Sequence, residues 1–70
     1  MKMTLAQAFD MIERGMTPEE YEKRLKRLRR LYDEKYYLED AIAVLGDDER
    51  AQKKAKRLLK VNGEIRRLLA

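Results

Sequence analysis

Apolar residues recur at helical spacing along almost the whole chain. Leu5, Phe9, Ile12 and Met16 stand four, three and four apart, the interval that aligns side chains on one face of an α-helix. Thr4 precedes this stripe and Gln7 follows it by three, the spacing of a capping box that satisfies free N–H groups at a helix start. Gly15 supplies the left-handed residue that commonly ends a helix. A first helix is therefore predicted over about residues 5–14.

The next start is sharper. In Thr17-Pro18-Glu19-Glu20, Thr17 is the N-cap, Pro18 occupies the first helical position, and Glu20 is placed to close a second capping box. Met16 and Tyr21 take the two positions of a hydrophobic staple. No Gly or Pro interrupts the chain from there to Leu45, so a second helix is predicted over about residues 18–45, roughly 42 Å long. Projected at about 100° per residue, Tyr21, Leu25, Leu28, Leu31, Tyr32, Ile42 and Ala43 form its core face, with Lys35 as a gap.

Gly46 is the predicted stop, and the acids Asp47, Asp48 and Glu49 suit the start of a third helix over about residues 48–69. Ala51, Ala55, Leu58, Asn62, Ile65 and Leu69 give it a heptad-like seam. Asn62 on that seam and the following Gly63 are open to two readings, a kink or a continuous helix. Continuity is favoured, because a seven-residue remnant is marginal alone. The expected fold class is all-α: a three-helix arrangement in which a short N-terminal helix packs on a long antiparallel helical hairpin, all 70 residues forming one domain.

Composition restricts the chemistry. There is no Cys and no His, so disulfides and the usual His/Cys metal clusters are absent. The ready general base near neutral pH and the strongest nucleophile are absent with them. No phosphate-binding glycine loop occurs, and Asp47, Asp48 and Glu49 lack the spacing of a calcium loop. We expect no catalytic site, no cofactor and no metal. The longest apolar run, Ala41–Leu45, is far too short to span a bilayer, and the Met1–Thr4 start has no signal-peptide character. The expectation is a soluble, cytoplasmic protein without a membrane partner.

The net charge of +4 raises the question of nucleic acid. It is unevenly distributed: residues 1–22 carry −3, residues 23–30 +6, residues 31–49 −6, and residues 50–70 +7. In an antiparallel hairpin the acidic second half of helix 2 lies beside the basic first half of helix 3. Glu19 with Lys23, Glu20 with Arg24, Glu22 with Lys26, and Glu49 with Lys53 are also favourable (i, i+4) pairs. The hairpin is expected to hold the two basic runs, Lys23, Arg24, Lys26, Arg27, Arg29 and Arg30 on helix 2 and Lys53, Lys54, Lys56 and Arg57 on helix 3, at opposite ends, which argues against one phosphate-binding stripe.

Helix 2 carries a second apolar strip opposite its core face. Tyr37, Ala41 and Val44 recur at i, i+4 and i+7, with Leu38 and Leu45 on the flank. Helix 1, only about 15 Å long, does not reach it, and the adjoining Arg50–Arg57 stretch of helix 3 is charged. An uncovered apolar patch rimmed by charge marks an interaction surface, and Tyr is enriched where binding energy concentrates. Tyr37, Leu38, Ala41, Val44 and Leu45 are therefore the candidate protein-binding residues. The alternative is that they are core in a splayed arrangement.

Taken whole, the chain resembles de novo designed helical mini-proteins, in particular three-helix mini-binders. The Thr17-Pro18-Glu19-Glu20 start, Gly15 and Gly46 as stops, short connections, charge-laced faces and the lack of Cys, His and Trp carry that resemblance. The four Met, Lys35, the Tyr36-Tyr37 pair and Asn62 depart from it. The resemblance implies binding of one protein surface by a rigid helix face. Three other expectations stand beside it: a self-associating bundle (a homodimer, for example) or a fold design with no partner, a small natural helical regulator, and a nucleic-acid-binding hairpin.

Overall fold

The computed structural model describes residues 2–70 and contains three helices: α1 (Leu5–Arg14), α2 (Pro18–Leu45) and α3 (Glu49–Leu69). Helices α2 and α3 pack side by side as an antiparallel hairpin. The molecule is a rod of 45 × 20 × 16 Å with a radius of gyration of 15.5 Å, against about 11 Å for a compact chain of this length. A rod has little interior, so the core is one seam between two helices.

Local chemistry sets the helix ends where the sequence places them. The Thr4 hydroxyl accepts from the Gln7 amide and the Gln7 side chain accepts from the Thr4 amide, both at 3.1 Å. Gly15 ends α1 in the left-handed region at φ 67°, with its N–H bonded to the Ile12 carbonyl and that of Met16 to the Met11 carbonyl. This paired pattern satisfies two of the free carbonyls at the helix end. Thr17 caps α2 by accepting from the Glu20 amide at 3.2 Å. Glu20 itself is exposed, and only the Thr17 half of the expected second box forms. Gly46 adopts φ 63° and ψ −120°, a backbone region that L side chains rarely enter. Asp48 then caps α3 by accepting from the Arg50 amide at 2.9 Å. Helix α3 runs without a break through Asn62 and Gly63 to Leu69.

The seam differs in register from the projected one. Leu28, Leu31, Leu38, Val61 and Ile65 form the buried core, and Tyr32, Leu58 and Leu68 pack around it. On α2 the inward positions are Tyr21, Arg24, Leu28, Leu31, Lys35, Leu38, Ile42 and Leu45, a strict alternation of three and four. Two long helices in contact wind about each other, so their seam follows a period of about 3.5 residues and not 3.6. Over two dozen residues the difference brings Leu38 into the core, and it leaves Ala43 exposed. On α3 the seam runs through Ala51, Lys54, Leu58, Val61, Ile65 and Leu68. Val61, at 1% exposure, takes the place expected for Asn62, and Leu69 lies half outside. Turning the helix this way buries a valine where an amide would need a partner.

Lys35 is the gap it was expected to be. Its ammonium stays at the seam's edge, 5.9 Å from the Tyr32 ring and 3.9 Å from Glu39. One facing pair matches the expected charge blocks, with Arg57 gripping Glu34 by two bonds of 2.7 and 3.0 Å; Arg27 reaches Glu64 at 2.9 Å toward the other end of the hairpin, a pair the blocks did not predict. The paired guanidinium holds the Glu34 carboxyl below its ordinary value.

Candidate protein-binding faces

The distal end of the hairpin, where α2 turns into α3, carries most of the residues singled out in the sequence. Val44 is 85% exposed and Tyr37 61%, while Ala41 and Leu45 are half-buried between them. With Asp40, Arg50 and Lys54 they line a shallow groove of about 500 Å³. Its apolar floor is made by the half-buried Ala41 and Leu45 of α2. Its rim is charged on both sides. Asp40 stands on α2, and Arg50 and Lys54 stand on α3, with the Lys54 ammonium 5.2 Å from the centre of the Tyr37 ring. Asp48 holds Arg50 in place at 3.0 Å. That side chain, together with the Arg50 amide, lowers the Asp48 carboxyl below its usual value.

Leu38 does not belong to this surface. At 5% exposure it sits in the core against α3, so this member of the sequence-derived set is corrected to a packing residue. The supercoil that shifts the seam is the cause.

A second apolar face, at the other end of the rod, was visible in the sequence as a stripe but not as a surface. Leu5, Phe9 and Ile12 are 74%, 58% and 65% exposed. No residue of α1 is buried. The helix is docked by its polar side: the Asp10 carboxylate accepts from the Tyr21 hydroxyl at 2.8 Å and from the Arg14 guanidinium at 2.9 Å. Arg14 also donates to the Ala70 and Leu69 carbonyls at 3.0 and 3.2 Å, and the buried Arg24 donates to the Leu68 carbonyl. The last carbonyls of a helix lack partners and lie at its negative dipole end, so two guanidiniums there answer both needs. The Tyr21 hydroxyl, then Arg14, holds the Asp10 carboxyl below its ordinary value, and the same bond raises the Tyr21 phenol above its own. The signal for this clamp in the sequence is Asp10 and Arg14 one turn apart; their partners, up to 56 residues away, carry no local mark.

The basic residues are brought together differently from expectation. Lys23, Lys26, Arg27 and Arg30 share a depression with Arg57, so one member of the second run does meet the first. Two of these cations are already held, Arg27 by Glu64 and Arg57 by Glu34. The rest of that run, Lys53, Lys54 and Lys56, precedes Arg57 on α3 and lies toward the distal end.

Among the described residues no group of three or more His, Cys, Asp or Glu could hold a metal ion, and no helix is long and apolar enough to cross a membrane. The resolved pKa shifts move Asp10, Glu34 and Asp48 down and Tyr21 and Arg57 up, each away from neutrality. Comparison with protein families, curated proteins and solved structures finds no match to this chain.

Proposed function

We propose that this chain is a non-catalytic binding protein, design-like in construction, that recognises another protein through the distal groove of the hairpin. The anchors are Tyr37, Ala41, Val44 and Leu45, with Asp40, Arg50 and Lys54 as the charged rim. What carries the reading is the juxtaposition of an exposed valine and an exposed tyrosine, on one helical face and two turns apart, over a half-buried apolar floor. Single exposed apolar residues need no explanation, but a contiguous apolar groove rimmed by charge is the usual anatomy of a binding surface. The rigid scaffold beneath the groove reduces the ordering cost of binding.

A photoreactive amino acid placed at Val44, and at the likewise exposed Leu59 as control, tests this. The expected outcome is one defined adduct from position 44, none from position 59, and loss of the adduct in Tyr37→Asp while helicity is unchanged. Equal labelling from both positions, or unfolding by Tyr37→Asp, would count the groove as ordinary surface or as core.

A further inference from the structure

The geometry points to the occupant of the groove: we propose that it is helix α1 of a second copy of this chain, docked antiparallel to α2 in a head-to-tail contact. The proposal rests on the groove being a protein-binding face and adds who binds there.

Helix α1 is turned inside out relative to a helix that merely packs on its own hairpin. Its polar side makes the clamp to Tyr21 and the α3 terminus, and Leu5, Phe9 and Ile12 face solvent. The chain thus holds two unpartnered apolar faces. Both have the same spacing: Leu5, Phe9 and Ile12 stand at i, i+4 and i+7, as do Tyr37, Ala41 and Val44. Their sizes are complementary at the middle, where Phe9 is the largest member of one stripe and Ala41 the smallest of the other. A bulky side chain entering the space above a small one is how packed helices interdigitate.

Charge selects the direction. With Leu5 over Val44 and Ile12 over Tyr37, Glu13 comes to the Tyr37 end, where Lys54 stands, and Lys2 comes to the opposite end near Asp47. The helix dipoles also oppose each other in this alignment. The parallel alignment puts Lys2 beside Glu34, which Arg57 already holds, and Glu13 over the apolar Leu45.

The contact is not available within one chain. Tyr37 lies 19 residues along α2 from Pro18, about 28 Å, whereas the link from α1, Gly15–Thr17, spans about 10 Å even when extended. Stripe and groove sit at opposite ends of a 45 Å rod. One copy's stripe filling the next copy's groove therefore leaves a free stripe and a free groove at the ends, the mark of a heterologous interface that extends past the dimer unless it closes into a ring. A contact of three turns of helix is below the roughly 1,200 Å² of stable interfaces, so the association is weak and concentration-dependent.

The test is light scattering behind a sizing column over a roughly hundredfold concentration range, using the whole chain and the variants Phe9→Asp and Val44→Asp. Both positions are exposed, and circular dichroism checks that the helices persist; Ile12→Gln and Val44→Gln form a milder second pair. The expected result is a wild-type mass that climbs past twice the 8.4 kDa chain, and monomers for each variant alone. Mixing the two variants should restore a dimer and go no further, because one keeps an intact groove and the other an intact stripe. A wild type that stays monomeric overturns the proposal, leaving the groove to the crosslinking experiment. A mixture that stays monomeric while the wild type assembles also overturns it, because an intact stripe and an intact groove then fail to bind each other. If Phe9→Asp assembles as the wild type does and Val44→Asp does not, the groove is an interface with another occupant. If Val44→Asp assembles unchanged, the proposal falls and, should position 44 also crosslink nothing, the groove reading falls with it.

Discussion

Two valines on this chain should answer the same substitution in opposite ways. Val61 is 1% exposed in the seam between α2 and α3, and Val44 is 85% exposed at the distal end. Valine to alanine removes two carbons. At Val61 their transfer out of water is lost, about 1.6 kcal/mol at 0.8 per carbon. A cavity of about 40 Å³, left partly uncollapsed, adds about 1 kcal/mol. Alanine is the better helix former by about 0.5 kcal/mol, which offsets part of the loss. The net for Val61→Ala is a destabilisation of about 2 kcal/mol, roughly half of what a core this small supplies. At Val44 only the helix-propensity gain remains, so Val44→Ala should be neutral or stabilising by about 0.5 kcal/mol. Urea denaturation followed by circular dichroism measures both, at a concentration low enough to keep the chain monomeric. In thermal melts the Val61 variant should lose about 10 °C. If the two variants agree to within about 0.5 kcal/mol, the seam does not run through Val61 and the register described above is wrong. If Val44→Ala is the costlier of the two, the distal groove is part of the core.

Two further changes probe the ends of the same argument. Gly63 lies in the α3 interior, and a Cβ added there meets nothing within 4 Å; Gly63→Ala should therefore stabilise by about 0.5–1 kcal/mol in the same denaturation assay, and a loss would mean that α3 bends at this point. The clamp between α1 and the hairpin should have a defined pH window. Asp10 is lowered from 3.8 in the fold, so its contribution is present above that value and disappears as pH falls through the folded pKa. Tyr21 is raised from 10.0, so its contribution is present below that value and is lost as pH climbs through the raised one. The stability difference between wild type and Tyr21→Phe should be flat between these limits and shrink toward zero on either side; a difference that persists unchanged well below pH 3.8 would exclude the Asp10 carboxylate as the partner.

The sequence alone determined the elements of this protein, because helix ends are decided within four or five residues. Thr4 with Gln7, Gly15, Thr17 before Pro18, and Gly46 each satisfy or terminate a backbone hydrogen-bond ladder using neighbours in the chain; α1 and α2 begin and end there, and α3 begins at the Asp48 cap. The charge blocks were likewise legible, since antiparallel pairing of an acidic with a basic segment needs only the turn at Gly46. Most of the distal surface followed too: Tyr37, Ala41 and Val44 share a face in any α-helix.

Tertiary structure decided what depends on two elements at once. Leu38 moved from the candidate surface into the core because paired helices supercoil, a property of the pair and not of either sequence. Val61 displaced Asn62 from the seam because α3 turns about its own axis to bury the valine, where an amide would need a partner. The direction of α1 was undetermined by its own pattern. Amphipathic spacing fixes that a helix has an apolar side, whereas Asp10 and Arg14 found their partners on Tyr21 and on the far end of α3, and that polar docking turned Leu5, Phe9 and Ile12 outward. Burial is a relation between segments distant in the chain, and no window of sequence contains both sides of it.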